Sequence, residues 1–165
     1  MNKDERTAKI EEYGRGCAML EAVLAAIPEA ALKFRPAVVE WSVREILGHM
    51  ADSECLGVVR LHKVIAEPGS VLMPYDEGKW AKALGYQDQD PEVALALFRL
   101  LRQRTHTLLH GLPDEVFAHS VTHPEFAQPY DVDIWLDIYT RHVPEHIAQL
   151  QGTLEAWPAW SGSAR

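Results

Sequence analysis

WSVREILGHMADSECLGVVRLHKVIAEPGS, residues 41–70, reads as one long helix with both ends written into it. Ser42 is a good N-cap, and Glu45, three residues later, completes a capping box in which each side chain serves the other's backbone N–H. Val39 or Trp41, just ahead of the cap, is placed to pack on Ile46 as a hydrophobic staple. Val43, Ile46, Met50, Gly57, Leu61 and Val64 follow at spacings of three, four and seven, the period of a helix with one buried face. The pattern runs to about Ala66, where Glu67-Pro68-Gly69-Ser70 breaks it. His49 lies on the flank of the apolar stripe, near Ser53.

The same reading extends in both directions. Upstream, a helical pattern begins near Asp4, carries Ile10, Cys17, Leu20, Leu24 and Ile27 on one side, and closes at Pro28. Downstream lies a long connection to about Asp90, with Pro74, Tyr75, Asp76, Trp80 and Tyr86; its GKWAKAL segment is long enough for one or two helical turns. A connection of this length is expected to carry function or structure of its own. Pro74, Tyr75 and Trp80 are candidates for an apolar wall over a small organic substrate. Asp90 caps a third long helix, with Pro91 at its first position and Glu92 in its first turn. Ala94, Leu97, Leu101, Leu108 and Leu112 read as its core side, and Gly111-Leu112-Pro113 ends it. Residues 114–130 alternate weakly and contain Pro124 and Pro129, which favours a loop over a sheet. Asp131 or Asp133 opens the last helix, which runs to about Trp157 and stops at Pro158; residues 158–165 are expected to fray. Four long helical patterns and no convincing strand make an all-α four-helix bundle in one domain, 1–165, the economical architecture.

Composition agrees. A chain of 165 residues is expected to form one domain. With 47% hydrophobic and 24% charged residues it has the balance of a globular chain able to bury its own core. A formal charge of −8 opposes attraction to phosphate backbones and anionic lipid, so neither nucleic acid nor a membrane is an expected partner. Cys17 and Cys55 lack CxxC spacing and read as reduced thiols. The opening MNKDERTAKIEEY has no apolar signal run, and no stretch approaches the roughly 20 apolar residues of a membrane span, so a cytoplasmic location is expected.

Three histidine pairs share HxxxH spacing: His106 with His110, His119 with His123, and His142 with His146. If Leu101 and Leu108 mark the core side of the third helix, His106 and His110 point roughly 140–180° away, onto the solvated face. His119 and His123 bracket HSVTH ahead of a proline, where helical spacing is not assured, though His123 can reach the edge of a site. His142 and His146 differ: Trp135, Ile138 and Tyr139 lie within roughly 60° of His142, and His146 roughly 40° from it, so both imidazoles face the interior stripe. Two readings stand side by side. Either hydrogen bonds from Tyr139, Gln149 or buried water satisfy them, or they share a metal ion that His49 completes from a facing helix. Three neutral imidazoles leave an ion doubly positive and coordinatively open, the condition for activating water or a thiol.

WSVREILGHMADSE, with its Trp-Ser start, helical Leu-x-His and following Asp and Glu, resembles the second-helix signature of the DinB/YfiT-like family of bacterial helical bundles. THPEFAQPYDVDIWLDIYTRHVPEHIAQL resembles the family's closing segment, an HPE loop leading into a helix with HxxxH and Ile-x-Gln-Leu. DEGKWAKALGYQDQDPEVALALFRLLRQ has the character of its middle. The resemblance spans nearly the whole chain in order. It implies up-down-down-up connectivity, frequent homodimerisation, and a divalent metal, zinc or nickel, on His49, His142 and His146. Members of the family include hydrolase-like proteins and transferases using low-molecular-weight bacterial thiols.

The expected function is therefore a metal-dependent transferase or hydrolase acting on a small molecule, with a low-molecular-weight thiol as one candidate partner. Glu54, His123 and Glu145 are the nearest sequence candidates for a proton shuttle. The rival readings are a non-catalytic metal-binding stress-response protein and an interaction protein without metal. Pro144, between the late histidines, departs from the family pattern. It removes a helical hydrogen bond and presses on the Thr140 carbonyl, so a kink or a fresh helix start is expected there.

Overall fold

The computed structural model describes residues 1–158; the rest of the tail expected to fray, 159–165, lies outside the described residues. Among the described residues five α-helices form: α1 (Lys3–Leu24), α2 (Val43–Ala66), α3 (Glu77–Ala83), α4 (Pro91–His110) and α5 (Val132–Ala156). Each starts where its sequence supplies an acceptor for free N–H groups. Asn2 and Glu5 form a capping box on α1, as Ser42 and Glu45 do on α2. Asp76, Asp90 and Asp131 cap α3, α4 and α5. Asp131 is thus the cap of α5, while Asp133 binds the Met1 ammonium at 2.7 Å and Arg6 Nε at 2.6 Å. At α2, Val39 is 90% exposed, so the staple residue is Trp41, which packs on the cluster containing Ile46.

The long helices make a four-helix bundle, and their side-chain contacts fix its directions. Asp133 ties the start of α5 to the start of α1, so these helices are parallel. Arg44 donates to the Gln89 carbonyl, placing the starts of α2 and α4 together. Glu21 meets Arg99 and Glu11 meets His110, which makes α1 and α4 antiparallel. His49 meets His142, whereas the Gly57 carbonyl meets Trp135, so α2 and α5 are antiparallel too. The order is up-down-down-up, with α1 and α2 beside α4 and α5 and diagonal to each other. Because α2 and α4 run parallel, residues 67–90 must return the length of the bundle; they do so through α3 and a 3₁₀ turn, Tyr86–Asp88. α5 is continuous through Pro144. Arg102 donates to the Tyr139 carbonyl, next to the Thr140 carbonyl that Pro144 leaves without its helical donor.

Two apolar clusters fill the bundle. One gathers Tyr13, Leu61, Leu109, Trp135, Leu136 and Tyr139; the other gathers Leu20, Ile46, Met50, Phe98, Val143 and Leu150. Between them lies a buried polar layer in which Glu54 accepts from Tyr13 and from Arg102 at 3.1 Å. Both Glu54 and Arg102 are essentially inaccessible.

Two sequence expectations are corrected. The core side of α4 is Ala94, Phe98, Arg102, Thr105 and Leu109; of the expected stripe Ala94 is buried and Leu108 and Leu112 pack at the edge of the core, while Leu97 is 39% exposed. The true face is about one residue further along, roughly 100° of rotation. Its central members are polar because they serve the buried layer. Residues 114–130 also hold a small antiparallel ribbon, pairing Ser120 with Asp131 and Val121 with Tyr130. Pro124 and Pro129 lie in the loop joining these strands, where they remove no ladder bond. Among the described residues no helix is long and apolar enough to cross a membrane. Cys17 and Cys55 are free and half-buried.

Candidate metal centre

His49 sits one and a half turns into α2, a helix whose rotation is fixed by burial of Val43, Ile46 and Met50. His142 and His146 sit one turn apart on α5, whose register is set by Trp135, Tyr139, Val143 and Leu150. Packing these two faces antiparallel brings three imidazoles together. His142 Nε2 lies 3.1 Å from His49 Nε2 and 3.1 Å from His146 Nε2. Pro144 leaves the two α5 rings on one side, 4.5 Å apart between centroids and nearly perpendicular.

The surroundings hold these rings neutral. Burial lowers the His49 pKa to about 3, with the neighbouring His146 adding to the effect. Burial drives His142 well down, assisted by both other histidines and by Arg102. His146 is lowered by burial against an opposing hydrogen bond to Gln149. That bond, from Nδ1 to Gln149 Oε1 at 2.9 Å, puts the proton on Nδ1 and leaves Nε2 as a lone pair facing its neighbours. Trp41 closes the other side, its ring 4.9 Å from that of His49.

A shared Nε2 cannot hydrogen-bond well to two imidazoles at once, since each ring nitrogen offers one in-plane direction carrying either a proton or a lone pair. Three neutral nitrogens converging on one point, with no carboxylate among them, are instead a donor set for a borderline divalent ion. Two ligands about 2.0–2.1 Å from a common ion stand about 3 Å apart when they subtend roughly a right angle, so the observed spacing fits. Two clefts flank Trp41. One, of about 410 Å³, runs past Arg35, Glu45, Ala81 and Gln87; the other, of about 530 Å³, runs past Pro36, Gln149 and Thr153. Each reaches groups that touch the histidines, not the imidazoles themselves.

The remaining sequence candidates lie elsewhere. Glu54 is locked in the buried layer, its carboxyl pushed up by burial against the pull of Arg102 and Tyr13. Glu145 is turned to solvent beside Arg141. His123 is buried, accepts from the Glu125 N–H at 3.2 Å and stacks on Tyr130. The crossover packs on α2 with Tyr86 over Gly48, and the Tyr75 ring lies tilted against that of Trp80, 4.8 Å between centroids. Gln149, expected as a hydrogen-bonding alternative to a metal, orients the His146 ring; its signal is its position three residues after His146.

Fold and cluster together define a class: helical bundles that present three histidines from two antiparallel helices to one ion-sized space. The profile of the DinB superfamily matches residues 12–150, and the chain belongs to that superfamily. YfiT of Bacillus subtilis, provisionally named a metal-dependent hydrolase, is 31% identical over 110 residues, 67% of this chain and 62% of the relative. A similarly named protein of Oceanobacillus iheyensis is 32% identical over 110 residues, 67% of this chain and 63% of its own length. The aligned region thus spans a little over three fifths of these relatives. The solved structure of YfiT, described as having an unusual four-helix bundle topology, superposes with a TM-score of 0.86 at 25% identity, covering 94% of this chain and 89% of that one. A mycothiol-dependent maleylpyruvate isomerase shares the fold at TM-score 0.71 and 12% identity, over 88% of this chain and 60% of that one.

Proposed function

We propose that the protein is a metal-dependent hydrolase of small molecules, with His49, His142 and His146 holding a divalent ion, zinc or nickel. The observation that carries this reading is the convergence of three neutral Nε2 atoms at 3.1 Å contacts. The naming of the relatives as metal-dependent hydrolases supports the reaction class. A divalent ion held there supplies Lewis acidity and a hydroxide nucleophile near neutral pH. The chain's own groups do the rest. Burial keeps the imidazoles unprotonated and available. Gln149 fixes the tautomer and orientation of His146. Trp41 excludes water from one side of His49 and stands between two clefts that end against its ring. Glu54, engaged with Arg102 and Tyr13, belongs to the scaffold in this reading, so it does not take up the proton released on hydrolysis.

The test combines metal content with turnover. Purified protein should carry close to one tightly held ion that His49→Ala and His142→Ala each remove. Metal-loaded protein should hydrolyse members of an ester and amide panel, and lose that activity in the same variants. Equal, negligible metal in all three proteins overturns the metal reading and leaves an interaction protein. Turnover only when a low-molecular-weight thiol and an electrophile are supplied overturns hydrolysis in favour of thiol transfer, since the same ion deprotonates a thiol. Bound metal with no turnover in either panel favours a non-catalytic metal-binding protein.

A further inference from the structure

A second group of ligating side chains lies on another face of the bundle, in the groove between α1 and α4. His106 and His110, one turn apart on α4, bring their Nε2 atoms to 3.1 Å. Glu11 reaches across from α1, with Oε1 3.0 Å from His110 Nε2 and Oε2 4.0 Å from His106 Nε2. The leucine stripe implied that both histidines face open water. With the core face at Phe98, Arg102 and Leu109, His106 instead flanks the core, its side chain 29% exposed, and leans over α1. Gly14 makes room for it: a Cβ at that position would lie 2.6 Å from His106 Nε2 and 2.8 Å from Cδ2. The ring is thus laid along α1 with its Nε2 towards His110 and Glu11.

We propose that Glu11, His106 and His110 form a second divalent-metal site, which clamps α1 to α4. His110 Nε2 faces two neighbours at once. With a single in-plane direction it can donate to Glu11 or accept from His106, and hydrogen bonding does not serve both well. One cation among the three atoms satisfies all of them: two imidazole nitrogens and a carboxylate oxygen are a zinc-type donor set, and histidines four apart on one helix are a standard bidentate pair. The side chains are 29%, 44% and 50% exposed, in the order His106, His110, Glu11, so water fills the remaining positions and the ion exchanges readily. This makes the site weaker than the buried triad and selective for copper, nickel or zinc over magnesium or calcium. None of its residues belongs to the triad, so it stands or falls independently of the proposed function.

The experiment is a zinc titration of the whole chain by calorimetry, with bound metal counted after equilibrium dialysis. Wild type should take two equivalents with distinct affinities. His106→Ala with His110→Ala should take one, losing the weaker class; Glu11→Gln should weaken that class at least tenfold. In a His49→Ala, His142→Ala background, zinc should still raise the thermal midpoint, and His110→Ala should abolish the rise, because the ion no longer joins the two helices. The proposal is overturned if the His106→Ala, His110→Ala protein, shown folded by circular dichroism, binds as much zinc as wild type across the titration. A single zinc equivalent in wild type that only the triad variants remove overturns it as well. Failure of the triad reading has a different signature: the weaker class remains and the tight class is missing.

Discussion

Gln149 accepts a hydrogen bond from Nδ1 of His146 at 2.9 Å, one turn beyond the ring it orients. This contact selects the tautomer whose Nε2 lone pair points at His142. Removing such an orienting partner typically costs about 10–100-fold in metal affinity. Gln149→Leu should therefore weaken zinc binding at the triad by that order while leaving the weaker α1–α4 class untouched. A chelator-competition titration measures it, and wild-type affinity in the variant would sink the orienting role.

Gly57 is a second point where one atom decides the geometry. A Cβ there would stand 2.5 Å from Cζ of Tyr139, whose hydroxyl donates to the Ser53 carbonyl at 3.2 Å. The ring is also stacked on Trp135 at 4.6 Å and cannot retreat freely. Gly57→Ala should lower stability by about 1–3 kcal/mol as an overpacked core site. Gly57→Ala with Tyr139→Leu should recover part of that loss. Urea denaturation of the three proteins decides: a neutral Gly57→Ala would contradict the close packing.

The buried layer gives a stronger expectation. Glu54→Gln leaves Arg102 buried without its counter-charge, and Arg102→Met does the reverse to Glu54. Each should cost about 3–5 kcal/mol. The double variant should lose clearly less than the sum, because neither charge is then stranded. Simple additivity in a double-mutant cycle would mean that the two groups do not stabilise one another.

What the sequence disclosed and withheld follows from this layer and from local signals. α2 was legible end to end because its cap, stripe and breaker all agree. The triad was legible as spacing: His142 and His146 are tied by the helical period, and His49 by the stripe it flanks. The face of α4 was displaced because Leu97 and Leu101 continue a leucine period that lies beside the core face, Leu97 being 39% exposed. The core face, one residue further along, carries Arg102 and Thr105, which no hydrophobic period rewards. That rotation concealed the position of His106 against α1. Tyr13, wholly buried, falls on the apolar period of α1, but its bond to Glu54, 41 residues away, has no local signal. The ribbon at Ser120–Val121 is two residues per strand, too short to leave an alternation. The Gln87 and Gln149 sides of Trp41 are assembled from four segments and have no sequence signature at all.

The triad also sets a pH dependence for metal-free protein. In the unfolded chain each imidazole has a pKa of about 6.5. In the fold, burial lowers His49 to about 3 and lowers His142 and His146 in the same direction. Between those values the unfolded chain binds more protons than the native one, so stability falls as pH drops below about 6.5 and keeps falling towards about 3. His62, His106 and His123 are lowered as well, so the contribution of His49 is the difference between wild type and His49→Gln. Urea midpoints of chelator-treated proteins at pH 7.5, 6, 5 and 4 should fall with pH, the variant showing the shallower slope by the order expected for one titrating group. Added zinc should stabilise wild type throughout this range, because the fold already keeps Nε2 of His49 free of a proton down to about pH 3. Identical slopes with and without His49 would mean that its ring is not held neutral by the fold, and the donor set would lose the property that suits it to an ion.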